Sequence, residues 1–222
     1  NPYTEEQLRR FDDVLAALPS LDGLAIHAAN SAAALTRPDA RRSLVRAGIA
    51  VYGISPFTLG TAQTRVTLGT AQTRGEELHE LANALRPALA LKARVSAVRR
   101  LDRGERLSYG LRHAMAAQAN VATVPIGYAD GVRRNLSGTG TTVLIGGEHR
   151  PIIGAITMDQ LMVDCGDDDV AVGDEVVLIG RQGDNEIRAD QWAATLGTIG
   201  YEIVCGIGPR VPRQYVASAE SF

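Results

Sequence analysis

The spacing of apolar residues changes along the chain. In "YTEEQLRRFDDVLAALPS", Leu8, Phe11, Leu15 and Leu18 recur at helical spacing and Pro19 stops the run, which predicts a helix. Thr4 and Gln7 have the spacing of a capping box, and Tyr3 and Leu8 that of a hydrophobic staple. "GLAIHAAN" then reads as a short apolar strand. "SAAALTRP" reads as a helix begun by Ser31 or Asn30, and "SLVRAGIAVYGI" as a second buried strand. Such alternation predicts a parallel sheet with covering helices. Residues 1–57 hold only about two of these units, whereas a closed eight-stranded α/β barrel takes ~250 residues. With no initiator Met at position 1, the expectation is that further units precede this segment.

From residue 88 the period falls to two. "LALKARVSAVRRL", "ERLSYG", "NVATVPIGYAD", "TTVLIGG", "RPIIG", "QLMVDC" and "DEVVLIG" predict short strands between Gly- and Asp-rich turns. One amphipathic helix, "ADQWAATLG", interrupts them, and "YEIVCGI" and "RQYVAS" close the chain. The prediction is a mostly antiparallel β domain, a small barrel or sandwich. Between the two patterns, "TLGTAQTR" occurs at 58–65 and again at 67–74. Two copies do not make a solenoid, and the repeat reads as a duplicated surface loop before a helix at "EELHELANALR". The expected domains are 1–57, the C-terminal units of a (β/α)8 barrel; 58–87, a loop and linker; and 88–222, the β domain.

The 222 residues are 45% apolar with a formal charge of −2, enough for a core and without the basic footprint of a nucleic-acid or anionic-lipid binder. No apolar run approaches the ~20 residues of a membrane span, and "NPYTEEQLRR" has no signal-peptide pattern. Cys165 and Cys205 lack metal spacing and read as small core residues in a reducing compartment; the four His are scattered, and no metal site is expected. Of 23 basic residues only Lys92 is a lysine.

Several residues invite chemistry, none decisively alone. Tyr109, in "GERLSYGLRH", can act as a base only where its surroundings favour the phenolate, since tyrosine ionises near pH ~10 in water. Asn30 and Ser31 stand where a strand becomes a helix, a place suited to phosphate or to a plain N-cap. Gly48 permits close backbone approach to a ligand, with the fixed charge of Arg46 nearby; the same residues fit an ordinary strand. Tyr128 and Asp130 fit turns, and Met158 fits a core.

Taken in order, "HAANSAAAL", "VRAGIAVYGI", "GERLSYG", "VPIGYADGVRR", "GAITMDQLMVD", "VGDEVVLIG" and "GTIGYEIVCGIGPRVPRQY" resemble the bacterial alanine racemases over nearly the whole chain except the duplicated loop. The resemblance implies the last quarter of a (β/α)8 barrel that binds pyridoxal 5′-phosphate, followed by the entire β domain. It implies a cytoplasmic homodimer, with sites shared between subunits, that interconverts L- and D-alanine and supplies D-alanine for peptidoglycan. Tyr109 would be the base for the Cα proton of L-alanine, acting in the partner's site. Arg46 would face the pyridine nitrogen. Ser31, the backbone of Gly48 and Ile49, and the Tyr201 hydroxyl would hold the phosphate, with Asn30 near the cofactor. Met158 would approach the substrate carboxylate, and Tyr128 and Asp159 would line the access path.

The family's Schiff-base lysine, in a Lys-Ala-Asn motif, has no counterpart here; "LALKARV" around Lys92 does not resemble it. The chain as given is therefore expected to be inactive by itself. Two other readings remain at this point. One is a non-catalytic dimerisation or interaction fragment. The other is a related barrel-plus-β amino-acid decarboxylase, for which "VDCGDDD" around Cys165 is a faint echo and "LSYG" with "TMDQ" a counter-indication.

Overall fold

The period-two stretch at 91–101 is one bent strand that begins and ends a rolled sheet. The computed structural model describes residues 2–57, 80–81 and 84–216, and the chain divides into two compact units, Asn1–Arg86 and Pro87–Phe222. In the second unit, β1 (Leu91–Arg94) pairs with β9 (Glu175–Gln182), while β2 (Ala97–Leu101) pairs with β5 (Ala119–Val124). The switch falls between adjacent residues. Val95 N–H donates to Asp174 at 2.9 Å, and Ser96 N–H to Thr123 on the other side at 2.9 Å. The full order is β1-β9-β6-β7-β8-β5-β2, with β6 Thr142–Ile145, β7 Glu148–Ile153 and β8 Leu161–Asp164. The sheet is antiparallel, as the alternation predicted, and because β2 continues β1 it closes on itself, which selects the barrel of the two forms expected.

Consecutive residues of β6 (Val143, Leu144, Ile145) and β9 (Val176 to Ile179) are almost fully buried. Side chains alternate between the faces of a strand, so both faces are covered there. Three further strands lie outside this path. β10 (Asn185–Ile187) folds back on β9, and β3 (Arg106–Leu107) pairs with β4 (His113–Ala114) as a separate ribbon.

In the first unit, helix α1 (Pro2–Ala17) begins at Pro2, a residue whose fixed φ suits a first helical position. That start places Thr4 inside the first turn, so it does not form the capping box its spacing suggested. α1 has no buried residue. Arg37 joins Glu5 to Asp39, and Arg42 bonds Asp12 while its guanidinium lies 5.9 Å from the Phe11 ring.

The two strands expected in this unit are reduced to a few rungs. Leu44 N–H donates to Ile26, Arg46 N–H donates to Ala29, and Asn30 and Arg46 form one parallel bridge. Beyond Gly48 the second segment turns as a 3₁₀ helix, Ile49–Tyr52, ended by Gly53 in the left-handed region. Helix α2 (Ser31–Thr36) forms as predicted, with Asn30 as its cap.

In the second unit, "ADQWAATLG" is helix α3 (Ala189–Leu196), closed by left-handed Gly197. "YEIVCGI" is helix α4 (Gly200–Cys205). Cys165 is a buried core residue, whereas Cys205 is exposed, contrary to the expectation for it. The duplicated loop lies outside the described residues, as does most of the helix expected after it; residues 80, 81 and 84 are helical.

Candidate functional site

Asn30 caps α2 through its side chain, whose Oδ1 accepts from Ala33 N–H at 3.0 Å. This commits the amide oxygen to the backbone and fixes the direction in which Ser31 leaves the strand. Ser31 is only 4% exposed, and its Oγ lies 3.4 Å from Ala50 N. A Cβ built on Gly48 would stand 3.9 Å from the same oxygen. Ser31 Oγ, the bare Cα of Gly48 and the first N–H groups of the 49–52 turn thus face one small space. Among the described residues, neither Gly48 N–H nor Ile49 N–H has a hydrogen-bond partner. What glycine provides is room, and N–H groups beside a buried hydroxyl suit the oxygens of a phosphate.

Arg46 lies on the same bridge. Its Nη1 is 3.0 Å from His27 Nδ1 and 3.3 Å from the Ala28 carbonyl. A guanidinium only donates, so Nδ1 must accept, and the ring proton of a neutral His27 sits on Nε2. This partner has no signature in the local pattern, because a lone His in a short apolar segment carries no periodic signal.

In the second unit, Tyr109 stands at the tip of the β3–β4 ribbon and is 79% exposed. Leu107, just before the tip, is buried in a cluster with Met115, Val121 and Ile153. The tip is strained. Ser108 has φ 63° and ψ 175°, and Leu111 has φ 48°. Conformations of this kind cost roughly 1–3 kcal/mol each. Ser108 Oγ accepts from Ala155 N–H and donates to the Ala155 carbonyl, both at 2.9 Å, and Arg106 Nη1 donates to the Leu111 carbonyl at 2.8 Å. Three such bonds at roughly 1 kcal/mol each, with about 2 kcal/mol from burying Leu107, are enough to hold it. Through the Ser108 hydroxyl, the turn that carries Tyr109 is bonded to Ala155, three residues before Met158.

Met158 and Asp159 occupy a turn closed by Thr157, which donates to the Gln160 carbonyl through N–H and hydroxyl, both at 2.9 Å. Tyr128 N–H and Ala129 N–H donate to Thr157 and Met158, each at 3.0 Å. That approach requires Gly127, where a Cβ would meet the Thr157 oxygen at 2.3 Å. Asp130 is buried. Its carboxylate accepts from Gly127 N–H at 2.9 Å and lies 3.3 Å from Arg210, which also reaches Asp159 at 2.6 Å. The hydrogen bond to Asp159, and then the charge of Asp130, push the Arg210 guanidinium up from its ordinary value. Tyr201 lies on α4, which Arg133 ties to the same loop through the Glu202 carbonyl at 3.0 Å. Tyr128, Met158 and Asp159 are thus brought together, with Arg210 as a member the sequence reading missed.

Two residues are set aside. Lys92 Nζ pairs with Glu175 at 3.2 Å. Cys165 is fully buried with its thiol pushed up by that burial, the reverse of what a reactive cysteine needs. Among the described residues no group of acidic, His and Cys side chains is arranged to hold a metal, and no helix is long and apolar enough to cross a membrane.

Comparison with known proteins yields one consistent picture. Residues 88–215 match the family profile described as alanine racemase, C-terminal domain, and residues 1–56 that described as alanine racemase, N-terminal domain. The alanine racemase of Symbiobacterium thermophilum is 45% identical over 218 residues, which cover 97% of this chain and 52% of that protein. The alanine racemase of Thermobifida fusca is 41% identical over 220 residues, 98% of this chain and 53% of that protein. Among solved structures, the alanine racemase of Streptomyces coelicolor A3(2) superposes with a TM-score of 0.79 at 39% identity, covering 98% of this chain and 53% of that one. The Bacillus anthracis alanine racemase with bound L-Ala-P gives 0.77 at 36% identity, over 97% and 51%. This chain spans about half the length of the curated relatives it matches. With both family profiles met in order, and with relatives of this identity along nearly all its length, the chain belongs to the alanine racemase family.

Proposed function

We propose that this chain forms part of a pyridoxal-phosphate-dependent racemase that interconverts L- and D-alanine, with Tyr109 taking and returning the Cα proton on the L face. The observation that carries this reading is the exposed Tyr109 phenol on a strained turn that is bonded to the segment carrying Met158. A tyrosine kept only for packing would be buried.

The cofactor, when bound, draws electrons from Cα and makes its proton removable. The residues of this chain fit it. Ser31 Oγ and the N–H groups of Gly48 and Ile49 would hold the phosphate in the space that a Cβ on Gly48 would enter, with Asn30 beside them and the Tyr201 hydroxyl as a further donor. Arg46, braced by His27, would face the pyridine nitrogen, and a guanidinium there would keep its own proton. Met158 would approach the substrate carboxylate. Tyr128 and Asp159, the latter held by Arg210, line the access path.

Inversion needs a second base on the opposite face. We assign that role, and the cofactor's lysine, to no residue of this chain. The reading includes a homodimer in which Tyr109 serves the partner's site, a cytoplasmic location, and a product, D-alanine, destined for peptidoglycan. The test is racemisation and Cα–deuterium exchange by the full-length racemase carrying this segment, with and without the Tyr109 hydroxyl. Unchanged turnover of both enantiomers in Tyr109→Phe would remove the proposal's central residue.

A further inference from the structure

The ring of Tyr109 is too exposed to be held by packing, yet a base must keep its oxygen in place to within fractions of an ångström. The backbone supplies the constraint. Ser108 occupies φ 63°, ψ 175°, a region that residues other than glycine rarely enter. Its hydroxyl closes a two-way clasp on Ala155, accepting from the N–H and donating to the carbonyl, each at 2.9 Å. Gly154 makes the clasp possible, since a Cβ there would lie 2.7 Å from Ser108 Cβ and 2.9 Å from Leu107 Cδ1. Gly154 itself has φ 67°, so both strands of the contact are specialised.

We infer that Ser108 is a positioning residue for Tyr109, its hydroxyl locking the strained turn onto Ala155 so that the phenol keeps a fixed place relative to Met158. The inference rests on the reading of Tyr109 as a base, but its structural half stands apart from that reading. An alanine at 108 keeps the unfavourable φ and loses both bonds, so the turn should relax. A glycine at 108 loses the bonds and the strain together, and it keeps the test open if Ser108→Ala does not fold.

The test uses Ser108→Ala and Ser108→Gly with two readouts. The first is backbone order at residues 109–111 by ¹⁵N relaxation in this chain. Order should be high in the parent and clearly lower in both variants. Unchanged order overturns the inference whatever Tyr109 does. The second is turnover and Cα–deuterium exchange in the full-length racemase. Misplacing the phenol should lower kcat by about 10- to 100-fold with KM for alanine nearly unchanged, and L-alanine exchange should fall more than D-alanine exchange. Equal slowing of the two enantiomers, beside an L-selective loss in Tyr109→Phe, means general damage and overturns the positioning role. If Tyr109→Phe itself shows no L-selectivity, the base reading fails, and the order measurement alone decides whether Ser108 holds Tyr109.

Discussion

The guanidinium of Arg46 lies 3.0 Å from Nδ1 of His27, and since it can only donate, the imidazole nitrogen must accept. His27 is exposed and belongs to no core, so His27→Leu should leave folding within about 0.5 kcal/mol of the parent. Turnover should nevertheless fall roughly tenfold, because Arg46 loses the brace that aims it. Paired thermal melts and kcat measurements check this. A variant with normal turnover would mean that the Ala28 carbonyl suffices to hold Arg46.

Tyr109→Phe should leave stability unaltered, since the hydroxyl of an exposed ring is lost to water. Racemisation should fall by about 10²–10⁴-fold in both directions, the usual worth of a positioned acid or base. Deuterium exchange of L-alanine should collapse while D-alanine keeps most of its exchange. Measuring both enantiomers by NMR separates a base from a packing residue, whose loss would weaken them alike.

Gly48→Ala separates ligand binding from folding. The added methyl meets Ser31 Oγ at an ordinary 3.9 Å. Stability should stay within about 1 kcal/mol of the parent. Affinity of the full-length racemase for pyridoxal phosphate should drop tenfold or more, by about 1.4 kcal/mol for each factor of ten. A spectral titration that shows parental affinity would place the phosphate elsewhere.

Gly127→Ala should do the opposite and act on the fold. The new Cβ would meet two backbone oxygens, of Thr157 at 2.3 Å and of Met158 at 2.4 Å, and backbone cannot swing aside as a side chain can. The cost should exceed about 3 kcal/mol, read as a lowered denaturation midpoint. A variant as stable as the parent would show that the 127–131 and 157–158 loops part without penalty.

Acid should loosen α1. Arg37 holds the Asp39 carboxyl down at about 2, and Arg9 with Arg10 does the same for Glu6; Arg37 also lowers Glu5. A depressed folded value means that stability is present above the unfolded carboxyl range near pH ~4 and is lost as pH falls through about 2. The pairs are exposed and salt-screened, so the contribution is small, but α1 buries no residue to replace it. Circular dichroism between pH 5 and 2 should show helix loss, larger at low salt. A signal that is flat across this window would show that these pairs do not hold the helix.

How far the chain could be read in advance follows from how local each signal is. The strands at 91–94, 119–124 and 175–182 were legible because short runs rich in apolar and β-branched residues, bounded by turns, fit a sheet buried on one face or on both. The N-cap of α2 was legible as Asn30 or Ser31 because capping acts within three residues. "YEIVCGI" was not legible as α4, since six residues of mixed pattern fit either state. "SLVRAGIAVYGI" looked like a strand because apolar runs do, but a strand needs a continuous partner, and after Arg46 the chain turns into 49–52 instead. His27 beside Arg46, Arg210 between Asp130 and Asp159, and Ser108 on Ala155 were invisible for one reason. Each joins residues 19 to 80 positions apart, and no spacing rule reaches that far.

The bend between Val95 and Ser96 has a kinetic consequence. Closing the sheet requires Arg94 to meet Glu175, 81 positions later, while Ala97 meets Thr123. Hairpins such as β6–β7 can form early from local sequence, but the seam must wait for the most distant strand partners among the described residues. Folding of this unit is therefore slow for its size, as expected of sheets with high contact order. Until β1 reaches β9, both strands expose unpaired edges, so the interval before closure is when the protein is most open to mispairing with another copy.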